Sequence, residues 1–142
     1  MTKIFRVTDD IYFSGDLEAN DFLTLYENGI RVVLNLMLEV TYRAPIKNYP
    51  ITLIWCPIRD GERIPHNRLR QIYAVIDEYK HKKMLIHCAA GVSRSAGIVI
   101  GQLLRENPDW YWNDAEKIVR KIKPVLPDLF IRESILAFLG RS

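Results

Sequence analysis

Apolar and polar positions change period several times along the chain, and each change marks an element. "IFRV" (4–7) and "IYFSG" (11–15) are short apolar runs around the polar turn "TDD" (8–10), which predicts two strands. "LEANDFLTLYEN" (17–28) carries its apolar residues at helical spacing, and Gly29 stands where a helix C-cap is expected. "IRVVLNLM" (30–37) reads as a buried strand. Residues 38–50 are polar and irregular, and "ITLIWCPI" (51–58) reads as the next buried strand. After "RDGERIPHN" (59–67), Leu69, Ile72, Tyr73, Ile76 and Tyr79 or Lys80 trace one helical face. "MLIH" (84–87) is a short apolar strand, and a helix is expected from about Ser95.

Two more helices close the chain. "WNDAEKIVRKIK" (112–123) has Asn113 and Glu116 at capping-box spacing, with Ala115, Ile118, Val119 and Ile122 facing inward. "DLFIRESILAFL" (128–139) follows, with Asp128 as the expected cap. Strands alternating with helices predict an α/β fold, a central mostly parallel (mixed) sheet flanked by helices. No repeat or linker interrupts residues 1–142, so a single domain is expected, long enough to bury a core. In such sheets ligands bind beyond the carboxyl ends of the strands. The segment "HCAAGVSRS" (87–95) lies at such an end.

Composition adds little to that picture. About half the residues are apolar and a quarter charged, as in ordinary globular proteins. The net charge of +3 is too small to argue for a nucleic-acid surface, though it suits an anionic substrate. The run "VRKIK" (119–123) reads as the solvated face of a helix. Two cysteines, Cys56 and Cys88, exclude a disulfide framework, and Cys56 reads as a buried core thiol. "MTKIFRVTDD" has no apolar signal core, and no apolar run is long enough to span a bilayer, so a cytoplasmic location and no membrane partner are expected. His66 and His81 read as surface residues, and no His/Cys/Asp grouping has metal-ligand spacing, so no metal or cofactor is expected. Trp112 in "WYW" (110–112) reads as packing a helix onto the core; Trp110 is left open between packing and base stacking.

Chemistry concentrates in "HCAAGVSRS". Five residues separate Cys88 from Arg94, and a loop of that length between strand and helix turns several backbone N–H groups toward one centre. Gly91 eases the backbone that such a nest requires, and the following helix adds its positive end. Arg94 offers a planar two-pronged donor to the oxygens of a phosphate. The same field favours thiolate over thiol at Cys88. The competing reading, a buried thiol beside an unrelated arginine, needs none of these neighbours.

The cysteine, the five intervening residues, the arginine and the flanking His87 and Ser95 together resemble the active-site signature of the cysteine-based protein tyrosine phosphatases. The "RS" ending and chain size are similar to the dual-specificity branch. "YFSGDLEANDFLTLYENGIRVVLNL" (12–36), "CPIRDG" (56–61), "WNDAEKIV" (112–119) and "KPVLPDLF" (123–130) extend the resemblance over most of the chain. Where the family usually has Asn after Pro in the last of these, this chain has Asp128.

The resemblance implies a dual-specificity phosphatase-like fold and a phosphoprotein phosphatase acting through a cysteinyl-phosphate. Cys88 is then the nucleophile, and Arg94 with the backbone of Ala89, Ala90, Gly91, Val92 and Ser93 binds the phosphoryl oxygens. Ser95 eases the departure of the sulfur, His87 is structural, and Asp60 is the general acid, with Glu62 as its rival. An ionised thiol must coexist with a protonated acid, which places the rate maximum on the acidic side. Phosphorylated proteins are the expected partners. RNA 5′ ends, nucleotides or phosphoinositides are the alternative substrates, against which the neutral "AAGVS" weighs. A non-catalytic phosphate-binding module and a sulfurtransferase or arsenate reductase are further alternatives.

Overall fold

The computed structural model describes residues 2–39 and 49–141. In chain order its elements are β1 (Ile4–Arg6), β2 (Ile11–Ser14), α1 (Asp21–Glu27), β3 (Ile30–Asn35), β4 (Thr52–Trp55), α2 (His66–Tyr79), β5 (Lys83–His87), α3 (Arg94–Glu106), α4 (Trp112–Ile122) and α5 (Leu129–Phe138). The strands form one sheet in the order β1-β2-β5-β3-β4. β1 pairs with β2 antiparallel, and the other three pairings are parallel. The expected mostly parallel mixed sheet is therefore present.

Side-chain alternation along the strands divides the core into two layers. Ile11, Phe13, Val32, Leu34, Met84 and Ile86 face the larger layer, under α2 to α5. Tyr12, Val33 and Leu85 face the smaller one, with Phe22 and Leu25 of α1. α3 is buried from Arg94 through Leu104. That run explains why "AGIVIGQLL" shows so little amphipathic contrast: a helix enclosed on all sides has no solvent face to keep polar.

Several local expectations are revised. "ITLIWCPI" has the pattern of a buried strand, but β4 covers Thr52–Trp55 at the edge of the sheet, and Trp55 is 62% exposed. A continuous apolar run cannot distinguish a central strand from an edge strand whose outer side lies bare. α1 starts at Asp21, because Asp21 turns its carboxylate to the N–H groups of Glu18 and Thr2. The capping box of α4 lies earlier than Asn113 and Glu116: the Tyr111 N–H donates to Asp114 Oδ2 at 2.8 Å. Glu116 instead accepts from Trp112 Nε1. Trp112 is buried as expected, and Trp110 packs partly buried against the same core. Gly29 (φ 82°) ends α1 and Asp128 caps α5, both as expected. No helix among the described residues is long and apolar enough to cross a membrane.

The topology fixes where a site can form. β5 is central, and His87 at its end is in register with Ser14 of β2 and Asn35 of β3. The loop leaving β5 therefore emerges between the loops leaving β2 and β3. The segment after β4 is held at the same rim, where Cys56 N–H bonds Asn35 O and Ile58 N–H bonds Leu36 O.

Candidate active site

The loop from Cys88 to Ser93 turns every intervening carbonyl outward. Ala89 O accepts from the Asp16 N–H, Ala90 O and Gly91 O from Lys123 Nζ, Val92 O from the Leu126 N–H, and Ser93 O from the Gly97 N–H. With its carbonyls held from outside, the loop directs its amides inward. The N–H groups of Ala89, Ala90, Val92 and Ser93 have no protein acceptor among the described residues, and that of Gly91 points at Cys88 Sγ at 3.3 Å.

Gly91 has φ 69°, and a β-carbon there would stand 2.6 Å from the Gly15 nitrogen. A β-carbon on Gly15 would in turn meet Ala89 O at 2.9 Å. Two backbones pass where neither residue has room for a side chain, which is why glycine stands at both positions.

Cys88 is 2% exposed, and its sulfur lies 3.2 Å from Ser95 Oγ. The Ser95 hydroxyl can donate to the sulfur or to Ser14 O at 3.4 Å. His87 is fully buried behind the loop, and burial pushes its pKa from 6.5 to about 4. It is neutral near physiological pH, which fits a structural residue better than a proton carrier.

Arg94, the first residue of α3, is 3% exposed. Burial works against its charge. Hydrogen bonds to Glu39 and the charges of Cys88, Glu39 and Asp60 outweigh that and raise its pKa. Its Nη1 donates to Glu39 Oε1 at 2.8 Å and to Ile58 O at 3.2 Å, and its Nη2 to Glu39 Oε2 at 3.0 Å. These bonds leave the N–H on Nε and one on Nη2, an adjacent pair matched in spacing to two oxygens of a phosphoryl group.

Glu39 was not singled out in the sequence. It lies just beyond β3, inside the stretch read as polar and irregular, and only the parallel pairing of β3 with β5 delivers it to Arg94. The Arg94 hydrogen bonds hold its pKa well below 4.5, at about 2. A group with a depressed folded pKa contributes stability above its unfolded value and loses it as pH falls through the folded one. Glu39→Gln is therefore expected to lower the melting temperature at neutral pH, with the gap to wild type closing as pH falls from 4.5 toward 2. A gap of constant size over that range would deny the ion pair a stabilising role.

Lys123 also revises an expectation. It belongs to the run read as a solvated helix face, yet its ammonium bridges two carbonyls of the cradle. Asp128, the departure from the family pattern, contacts the cradle through its backbone N–H, which donates to Ser93 Oγ at 2.9 Å. Its side chain caps α5 at the Phe130 N–H, a task Asn performs equally well.

Asp60 and Glu62 both reach the opening above Arg94, together with Leu38, Glu39 and Arg59. The opening has a volume of about 300 Å³. Asp60 also lines the adjoining depression, whereas Glu62 lies 3.9 Å from the Arg59 guanidinium. Cys56 is buried, and burial raises its thiol pKa.

An anion cradle at the end of the central strand of a mixed sheet, with a thiol at its floor, defines a cysteine-based phosphatase scaffold. The family model for the dual specificity phosphatase catalytic domain matches residues 11–136, and the chain belongs to that family, within the cysteine-based protein tyrosine phosphatase superfamily. It is similar to human dual specificity protein phosphatase 18, with 31% identity over 111 residues, covering 74% of this chain and 56% of that protein. The chain thus spans about half the length of that relative. The fold is similar to that of Tk-PTP crystallised in a mutant form, with a TM-score of 0.84 and 19% identity, covering 97% of this chain and 95% of the other. It is equally similar to PTPMT1 crystallised with PI(5)P, with a TM-score of 0.84 and 17% identity, covering 96% and 94%.

Proposed function

We propose that the chain hydrolyses phosphomonoesters of proteins, phosphotyrosine foremost and phosphoserine and phosphothreonine with it, through a cysteinyl-phosphate. The observation that carries this reading is the cradle: a sulfur beneath inward amides, with a serine hydroxyl 3.2 Å away and an arginine edge left over for a ligand. In the first step the Cys88 thiolate attacks phosphorus. The S–P bond forms as the P–O bond to the leaving group breaks, and Asp60 gives that oxygen its proton. The amides of residues 89–94 and the free edge of Arg94 hold the equatorial oxygens, where charge is concentrated. In the second step water attacks phosphorus, Asp60 takes its proton, and the S–P bond breaks. Ser95 donates to the departing sulfur, so orthophosphate leaves and the thiolate is restored. The chemistry needs a reduced Cys88, which suits a cytoplasmic setting.

The exposed position of Asp60 supports its role, since a proton donor for a protein substrate has to meet a leaving group that comes from outside. Asp60→Ala is expected to slow turnover by about 10²–10⁴-fold and Glu62→Ala to change it little. Steady-state rates on a phosphotyrosine peptide decide between them, and the opposite ranking would transfer the role to Glu62.

Phosphoinositides are a second reading, supported by the likeness in fold to PTPMT1, whose structure holds PI(5)P. The neutral side chains of Ala89, Ala90, Val92 and Ser93 weigh against it, since polyphosphorylated headgroups call for additional cations. The test is one panel comprising phosphotyrosine and phosphothreonine peptides, a 5′-triphosphate RNA and a phosphoinositide. Phosphate release should be fastest from the phosphotyrosine peptide; release from the lipid or RNA alone overturns the phosphoprotein reading.

A further inference from the structure

Three of the five outward carbonyls of the cradle, Ala89 O, Val92 O and Ser93 O, are held by main-chain N–H groups. The other two, Ala90 O and Gly91 O, both accept from one side chain, Lys123 Nζ, at 3.0 and 3.1 Å. The ammonium lies over the Phe5 ring at 5.2 Å, and 3.0 Å from where a β-carbon on Gly91 would stand. It covers the apex of the loop from the side opposite the anion.

The local sequence delivers it there. Pro124 disfavours helical backbone at the residue before it, and Lys123 leaves α4 in an extended conformation, φ −154° and ψ 138°. Its own N–H still donates to Val119 O, and three residues on the Leu126 N–H donates to Val92 O. The segment is fastened to the helix on one side and to the cradle on the other, with the ammonium between.

The carbonyl of Ala90 and the N–H of Gly91 belong to one planar peptide group, and the carbonyl of Gly91 and the N–H of Val92 to the next. A cation at the carbonyl end polarises each group and strengthens its N–H as a donor. The Gly91 N–H faces Cys88 Sγ at 3.3 Å, and the Val92 N–H is one of the inward amides. Gly91, at φ 69°, is also where these two peptides turn over most easily, because glycine accepts either sign of φ. A turned peptide would aim its carbonyl at the anion.

We propose that Lys123 is a positioning residue for the reaction, holding two peptide groups of the cradle carbonyl-out and strengthening the amides that bind the phosphoryl oxygens. The proposal rests on the phosphatase reading above and deepens it, by assigning part of the grip on the anion to a charge outside the cradle.

The test compares wild type with Lys123→Met, Lys123→Gln and Lys123→Arg, and with Lys121→Met as a control on the exposed face of the same helix. Lys123→Met is expected to lower kcat/KM on p-nitrophenyl phosphate by about 10- to 50-fold, less than the removal of a donor outright. Inhibition by orthovanadate, which adopts the geometry of the transition state, should weaken by the same factor. Lys123→Gln keeps a donor without the charge; it should also lose rate, and it serves where Met unfolds the loop. Lys123→Arg should restore most of the rate, and Lys121→Met should leave it unchanged. In nitrogen-15 spectra of the ligand-free protein, Lys123→Met should move the amides of Gly91 and Val92 more than those of Ala90 and Ser93. Unchanged kcat/KM and vanadate inhibition in folded Lys123→Met would overturn the proposal. A loss of rate that leaves the Gly91 and Val92 amides in place would overturn it too. Absence of Cys88-dependent phosphate release from every substrate would instead overturn the phosphatase reading beneath it.

Discussion

Cys88→Ser releases no phosphate above background from any substrate, yet still binds the phosphotyrosine peptide. That is the expected result with the largest effect, and it follows from the separation of two tasks in the site. In the proposed mechanism the nucleophile is one atom, the Cys88 sulfur, buried beneath the loop and touched by the Gly91 N–H and Ser95 Oγ. The same proposal gives the grip on the anion to other groups: the inward amides, fixed by five outward carbonyls, and the free edge of Arg94. A serine hydroxyl at position 88 fits the same space but stays un-ionised near neutral pH. Removing a nucleophile costs on the order of 10⁶-fold in turnover where the rest of the site acts in concert with it. Calorimetric titration with the peptide reads the retained binding, and intact-mass analysis after rapid quenching reads the covalent adduct, expected in wild type and absent from the variant. Residual turnover of even about a hundredth of the wild-type rate would remove Cys88 from the chemistry, because nothing else in the cradle carries a comparable nucleophile.

The sequence carried the parts of this site that sit on one continuous segment. Cys88, Gly91, Arg94 and Ser95 lie within eight residues, so their spacing alone encodes a strand, a turn and a helix start. The parts brought in by sheet topology were silent. Glu39 meets Arg94 only because β3 and β5 are parallel neighbours, and nothing local to Glu39 announces a partner 55 residues away. Lys123 shows the same blindness in another form. A lysine at the end of an amphipathic helix looks solvated, and its role depends on where the preceding loop happens to place its carbonyls. The edge position of β4 was hidden for a related reason, since strand order is decided by pairing rather than by hydropathy. Asp60 lies between these cases: the motif around it was readable, and its place at the opening follows from the backbone bonds that tie Cys56 and Ile58 to the end of β3.

Gly91→Ala tests whether the cradle acts as a rigid template, and it should lose far more activity than its stability loss accounts for. Two costs arise. The backbone at φ 69° is strained for any residue with a β-carbon, on the order of 1–3 kcal/mol. The new methyl would also stand 2.6 Å from the Gly15 nitrogen and 2.8 Å from the Ser14 carbonyl carbon, and backbone atoms of a buried strand end cannot swing aside as a side-chain tip can. Gly140 separates the two, because it has φ 68° with nothing within 4 Å of a β-carbon. Gly140→Ala therefore carries the strain without the collision, far from Cys88. Both variants should unfold at lower denaturant than wild type, Gly91→Ala at the lowest. Only Gly91→Ala should lose turnover, by about 10²-fold or more, the consequence of moving reacting groups by roughly an ångström. The loop can relieve the contact only by retreating from Gly15, which carries the Gly91 amide away from the sulfur it faces at 3.3 Å and loosens the carbonyls held by Asp16 and Lys123. If Gly91→Ala instead keeps near-wild-type kcat/KM in conditions where it remains folded, the inward amides are not the element that holds the phosphoryl group, and Arg94 must carry that task alone.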